Sequence, residues 1–126
     1  MRVLVCGGRD YGNRYEQEAS NREEKYKMHV ILSEYKHIYG DIFAIIHGAA
    51  RGADTLAGKW AKANGIPVIE FPADWNKHGK RAGPIRNQQM LDEGKPDVVI
   101  AFRGGQGTAD MVKRSKNQDF EVREIL

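Results

Sequence analysis

The chain has 126 residues, 40% of them hydrophobic and 29% charged, with 14 glycines, one cysteine and a formal net charge of +3. That length suits a single domain, residues 1–126, which can bury roughly two-thirds of its unfolded surface without metal or disulfide staples. The balance excludes wholesale disorder, no apolar run approaches the roughly 18 residues of a membrane span, and the charge is too mild to diagnose a nucleic-acid binder.

The chain opens on the strand-like run Arg2 to Cys6, without the tripartite pattern of a signal peptide. Together with a lone Cys6, which excludes an internal disulfide, this implies a reducing, cytoplasmic setting. Five apolar, β-branched runs follow in order: Val3 to Cys6, Ile42 to Ile46, Pro67 to Phe71, Val98 to Phe102 and Val122 to Leu126. They read as buried parallel strands, which tend to be apolar throughout rather than alternating. Helical spacing lies between them, in Met28, Ile31, Leu32 and Tyr35, and again in Ala53, Leu56, Ala57, Trp60 and Ala61. Shorter helices are expected over Pro84 to Asp92 and Thr108 to Ser115, with Pro84 in a first turn and Gly94 at a helix end. The polar stretch Tyr11 to Lys25 reads as a loop or insertion leading into the first helix. Alternating strands and helices imply a Rossmann-like α/β domain, a mostly parallel five-stranded sheet with helices on both faces.

Ligands of open α/β sheets bind outside the carboxyl ends of the strands. Four loops at that edge carry glycine, charge or both. They are Gly7-Gly8-Arg9-Asp10, then His47-Gly48-Ala49-Ala50-Arg51-Gly52-Ala53-Asp54, then Pro72-Ala73-Asp74-Trp75, and Arg103-Gly104-Gly105-Gln106-Gly107-Thr108-Ala109-Asp110. Loops at the opposite edge, such as Lys95-Pro96, read as plain turns. In Gly104 to Thr108 the glycines let several backbone N–H groups point one way. The following helix adds its free N–H groups and positive dipole end, giving a phosphate cradle. Thr108 would cap that helix and donate a hydroxyl.

Gly52 to Lys59 lacks the spacing and the Ser or Thr of a P-loop, and Gly7-Gly8 lacks the spacing of the dinucleotide fingerprint. His47 reads equally as a ligand or proton-transfer group and as a satisfied structural histidine. Asp10, Asp54, Asp74 and Asp110 can cap turns and helices, or together read ribose hydroxyls or hold a cation. Trp75 can stack on a base or pack as a lid. Cys6 reads as a small buried residue rather than a nucleophile. No cluster has metal-ligand spacing, so neither metal nor separate cofactor is expected.

These loops, with Phe71 to Trp75, Gly83-Pro84-Ile85-Arg86-Asn87 and Phe102 to Met111, resemble the YspA-type, cpYpsA-related branch of the SLOG superfamily over nearly the whole chain. The resemblance implies a Rossmann-like fold and recognition of nucleotides or their derivatives. The more distant "lonely guy" phosphoribohydrolases of the superfamily share Pro-Gly-Gly-x-Gly-Thr-x-x-Glu and Arg-Lys-x-x-Met segments. Here Gly104, Gly105, Gly107 and Thr108 match the first, and Arg86 and Met90 the second. Arg103 replaces the proline, Asn87 the lysine and Met111 the catalytic glutamate, while Asp110 is expected to point elsewhere.

The expected function is therefore binding of a nucleotide-derived ligand such as ADP-ribose, as a sensor or sequestering protein. Phosphate would sit on Gly104, Gly105, Gln106, Gly107 and Thr108, with Arg86 and Arg103 neutralising it. Gly7, Gly8 and Arg9 would close the other side. Asp10, His47, Gly48, Arg51, Gly52, Asp54, Asp74 and Trp75 complete the candidate set. The alternative is a hydrolase cleaving an N-glycosidic or phosphate bond, with His47 or Asp110 as acid or base. Nucleic-acid binding is disfavoured by the lack of aromatic–basic interleaving, and the resemblance implies a homo-oligomer, a dimer in the first instance.

Overall fold

The computed structural model describes residues 1–126. The apolar runs form β1 (Arg2–Cys6), β2 (Ala44–His47), β3 (Val68–Glu70), β4 (Val98–Ala101) and β5 (Val122–Glu124). Between them lie α1 (Glu18–Tyr39), α2 (Ala53–Ala63), the short α3 (Trp75–His78), a 3-10 turn at Gly79–Arg81, α4 (Ala82–Gly94) and α5 (Gln106–Asn117). Every neighbouring pair of strands is parallel, in the order β3-β2-β1-β4-β5. This is the expected Rossmann-like α/β sheet. Its order reverses between β1 and β4, where open sheets of this class accept ligands.

Successive strand residues point to opposite faces, and each face has its own core. Val3, Val5 and Ile45 pack with Met28, Leu32, Ala57 and Trp60 beneath α1 and α2. Leu4, Cys6 and Ile46 pack with Met90, Leu91 and Met111 beneath α4 and α5. Val3, Leu4, Val5, Ile45 and Ile46 are wholly inaccessible, which explains why the centres of these strands are apolar on both faces. No helix is long and apolar enough to cross a membrane.

Several boundaries depart from the sequence reading. Helix α1 begins at Glu18, so only the first part of the 11–25 stretch is loop. Its polar residues are used locally. Asn21 closes the turn on the backbone of Arg14, accepting from its N–H at 2.7 Å and donating to its carbonyl at 2.8 Å. Tyr11 is buried against Phe102, with ring centroids 5.4 Å apart. Helix α5 begins at Gln106, two residues before Thr108, and its cap is Gly105, which has no side chain to offer. Thr108 therefore lies inside the first turn and is not the cap. Gly94 is the last helical residue of α4, and Lys95 takes the left-handed position beyond it, with φ 48°. What Gly94 supplies is proximity, since a Cβ there would sit 3.3 Å from Ile46.

Candidate functional site

Two glycine contacts bring the loops together. The N–H of Gly8 donates to the carbonyl of Arg103 at 2.8 Å, crossing from the β1 loop to the β4 loop. A Cβ at Gly104 would overlap the Thr108 hydroxyl and lie 2.8 Å from the Gly8 nitrogen, so this crossing excludes a side chain. Gly52 has φ +75°, and a Cβ there would collide with the Gly8 carbonyl. With its left-handed turn free of a side chain, the adjacent Ala53 N–H donates to that carbonyl at 3.1 Å. The loops after β1, β2 and β4 are thus fastened as one rim.

Above the rim opens a cleft of about 710 Å³ at the β1–β4 reversal. Gly7, Gly8, Arg9, Asp10, Asp54, Trp75 and Arg86 line one side of it, and Gly105, Gln106, Gly107, Thr108 and Asp110 the other. Gln106, Gly107 and Thr108 occupy the first turn of α5, whose N–H groups have no partners within the helix. No acidic residue stands in that turn and no side chain caps it. The positive end of the helix faces the cleft uncompensated.

Charges in the cleft are distributed unevenly between free and engaged groups. The Asp10 carboxylate accepts from Arg103 at 3.1 Å. Asp54 is buried and accepts the N–H groups of Gly48 and Ala50, both at 3.1 Å, bracing the β2 loop. Burial raises its pKa above the usual carboxylate value, although those N–H groups and the nearby His47 and Arg86 act the other way. Asp110 accepts from Asn87 at 3.0 Å and from Arg114 at 2.8 Å. All three carboxylates are thus engaged by protein groups. Arg9 and Lys80, which also line the cleft, form no ion pair. Arg9 instead lies over the Trp75 ring, 5.3 Å from its centroid.

Arg86 does two jobs. Its guanidinium donates to the carbonyls of Gly48 and Phe71 and to the Asn87 side chain, tying β2, β3 and α4 together. It also lines the cleft, and burial lowers its pKa, opposed by the charge of Asp54. Gly48 is where a side chain would strike that guanidinium. Cys6 is at the cleft floor, but burial above all, then the charge of Asp54, pushes its thiol up to about 12, so it is no nucleophile at neutral pH.

Seven expected members do not line this cleft: Gly52 and Gly104 serve the backbone crossings of its rim, Gly48 and Arg51 belong to the β2 loop beside it, and His47, Arg103 and Asp74 turn elsewhere. His47 follows Ile46 by one residue and so points to the α1/α2 face, beside Gly58 rather than into the cleft. Its Nδ1 accepts from the Ala49 N–H at 2.9 Å and its Nε2 lies 3.9 Å from Glu70. Burial lowers its pKa, with Asp54 and Glu70 pulling the other way. Arg103 turns away to Glu24, its Nε 2.6 Å from Oε2 and Nη2 3.2 Å from Oε1. Asp74 caps α3 by accepting from the Lys77 N–H at 3.0 Å.

Asp110, expected to point elsewhere, instead lines the cleft, whereas Met111 is completely buried among Leu4, Cys6 and Met90. Sequence reading passed over Lys80, Asn87 and Glu24. Asn87 is buried and joins α4 to α5 by donating to the Gly107 carbonyl at 3.1 Å as well as to Asp110. Its signal was its place directly after Arg86 in a conspicuous segment. Glu24 gave none, because its partner is 79 positions away.

The model of the family described as YspA, cpYpsA-related SLOG matches residues 1–78. A curated relative, the Gene 61 protein of Mycobacterium phage D29, is 32% identical over 128 residues, covering 96% of this chain and 93% of its own length. No solved structure matches.

Proposed function

The chain belongs to the YspA, cpYpsA-related SLOG family, and from that membership we propose that its β1–β4 cleft binds a nucleotide-derived ligand without consuming it. In this reading the phosphate rests on the N–H groups of Gln106, Gly107 and Thr108, with Arg9, Lys80 and Arg86 supplying positive charge. The observation that carries it is the uncapped, acid-free N-terminus of α5 facing a cleft whose carboxylates are already engaged. A helix end of this kind favours anions through both hydrogen bonds and dipole. Sensing or sequestering a nucleotide signal follows from binding without turnover. Its test is mass spectrometry of small molecules released from the purified protein. An intact nucleotide derivative supports the reading, and a protein that neither carries nor takes up any nucleotide overturns it.

One observation favours a second reading. Asp110 lines the cleft, and a carboxylate there is a candidate acid or base for cleaving an N-glycosidic bond. Its engagement by Asn87 and Arg114 is instead that of a positioned structural group. Chromatography after incubation with adenosine monophosphate separates the two readings, because released free base would favour the hydrolase.

A further inference from the structure

The cleft does not end at Trp75. Beyond it a second, smaller pocket of about 350 Å³ continues between the β2 loop and the segment after β3. Arg9, Arg51 and Arg86 line it, together with Gly48, Pro72 and Trp75, and no acidic side chain does. Arg9 and Arg51 form no ion pair with any residue. Arg9, Trp75 and Arg86 line both pockets, so the two are continuous. Three guanidinium groups around one hollow repel one another unless an anion lies between them. The planar, multidentate guanidinium suits phosphate in particular.

We propose that this arginine-lined pocket is a second anion subsite, and that the ligand carries two phosphoryl groups at separate ends of the molecule. The proposal rests on the cleft being a nucleotide site. Its first anion position is the N-terminus of α5, at the end of β4. The second lies at the ends of β2 and β3. In the order β3-β2-β1-β4-β5, these are two and three strands from β4. Neighbouring strands are about 4.8 Å apart, so the two positions are roughly 10–15 Å apart. Adjacent phosphates of a diphosphate do not span that gap, nor do the 3′ and 5′ phosphates of one nucleoside, which lie a single backbone repeat apart, but the terminal phosphates of a linear dinucleotide, two repeats apart, do. Between them stands the Trp75 ring, 48% exposed and covered on one side by Arg9, a flat surface on which a base can stack.

Calorimetry with the linear diadenylates pApA and pApAp, which differ only in the terminal 3′-phosphate, on wild type and Arg51→Ala, tests this. Arg51 is exposed at the loop tip and makes no side-chain hydrogen bond, so its removal leaves the fold intact. Wild type is expected to prefer pApAp by about tenfold or more, the effect of one or two hydrogen bonds to a charged group. Arg51→Ala is expected to bring that ratio close to one. A wild type that binds pApA equally well, or a preference that survives Arg51→Ala, overturns the second subsite while leaving the first standing. A wild type that binds neither compound overturns both.

Discussion

Glu24 holds Arg103 by two hydrogen bonds, the shorter 2.6 Å, and so fixes the β4 loop to helix α1 across 79 positions of sequence. The same carboxylate accepts the Gly12 N–H at 2.9 Å and pairs with Arg14 at 3.2 Å. Arg103 in turn reaches Asp10. This network holds the loops at the β1–β4 reversal from behind, leaving the cleft side open.

Glu24→Gln is therefore expected to destabilise the fold by about 1.5–3 kcal/mol, the usual loss when a hydrogen bond to a charged group is broken. Burial alone would raise the Glu24 carboxyl, but the Arg103 and Gly12 hydrogen bonds and the charges of Arg103 and Arg14 outweigh it and hold it below its ordinary 4.5. A depressed acid stabilises the fold fully above its unfolded value, and that contribution fades as pH falls through the folded value. Urea unfolding of the two proteins should therefore differ at pH 7 and converge below about pH 4.5. A difference independent of pH would show that the charge of Glu24 is not what matters.

His47 is shifted in the same direction for a different reason. Its folded pKa lies below the ordinary 6.5 because the ring is buried. The unfolded chain then binds the proton more readily, so stability from this group is complete above 6.5 and declines as pH falls below it. Proton NMR of the His47 ring should give a midpoint below 6.5. A midpoint at or above 6.5 would mean the ring is not held neutral by burial.

The paired fates of His47 and Arg103 show what was legible in the sequence. Apolar runs announced the strands, most plainly the central ones, because Val3 to Val5 and Ile45-Ile46 are covered on both faces. The glycine-rich loops announced the candidate edge, because Gly52 and Gly104 permit backbone crossings where a side chain would collide. Even the turning away of His47 was readable, since it alternates with Ile46 on a strand. Arg103 was different. Its position beside Gly104 suggested the cleft, and only the fold brings Glu24 near enough to claim it. Likewise the start of α1 at Glu18 was hidden by a polar stretch whose side chains are satisfied within the turn.

Met111 offers a test of the helix placement. Where the related hydrolases have glutamate, this methionine is inaccessible in the α4/α5 core. Met111→Glu would bury a carboxyl without a partner, so the variant should lose at least about 2 kcal/mol rather than gain a catalytic group. Thermal melting checks this. An unchanged Tm, with free base released from adenosine monophosphate, would place residue 111 in the cleft instead.

The most direct test is calorimetric titration of adenosine 5′-monophosphate into wild type and Gly105→Val. Gly105 lines the cleft, has φ −105°, and leaves open space where a Cβ would stand. Valine there should cost only about 1 kcal/mol, as a poorer helix cap, while filling the place where phosphate would approach α5. Wild type should bind and the folded variant should lose at least tenfold in affinity. Equal affinity in the two proteins would contradict phosphate binding at the N-terminus of α5.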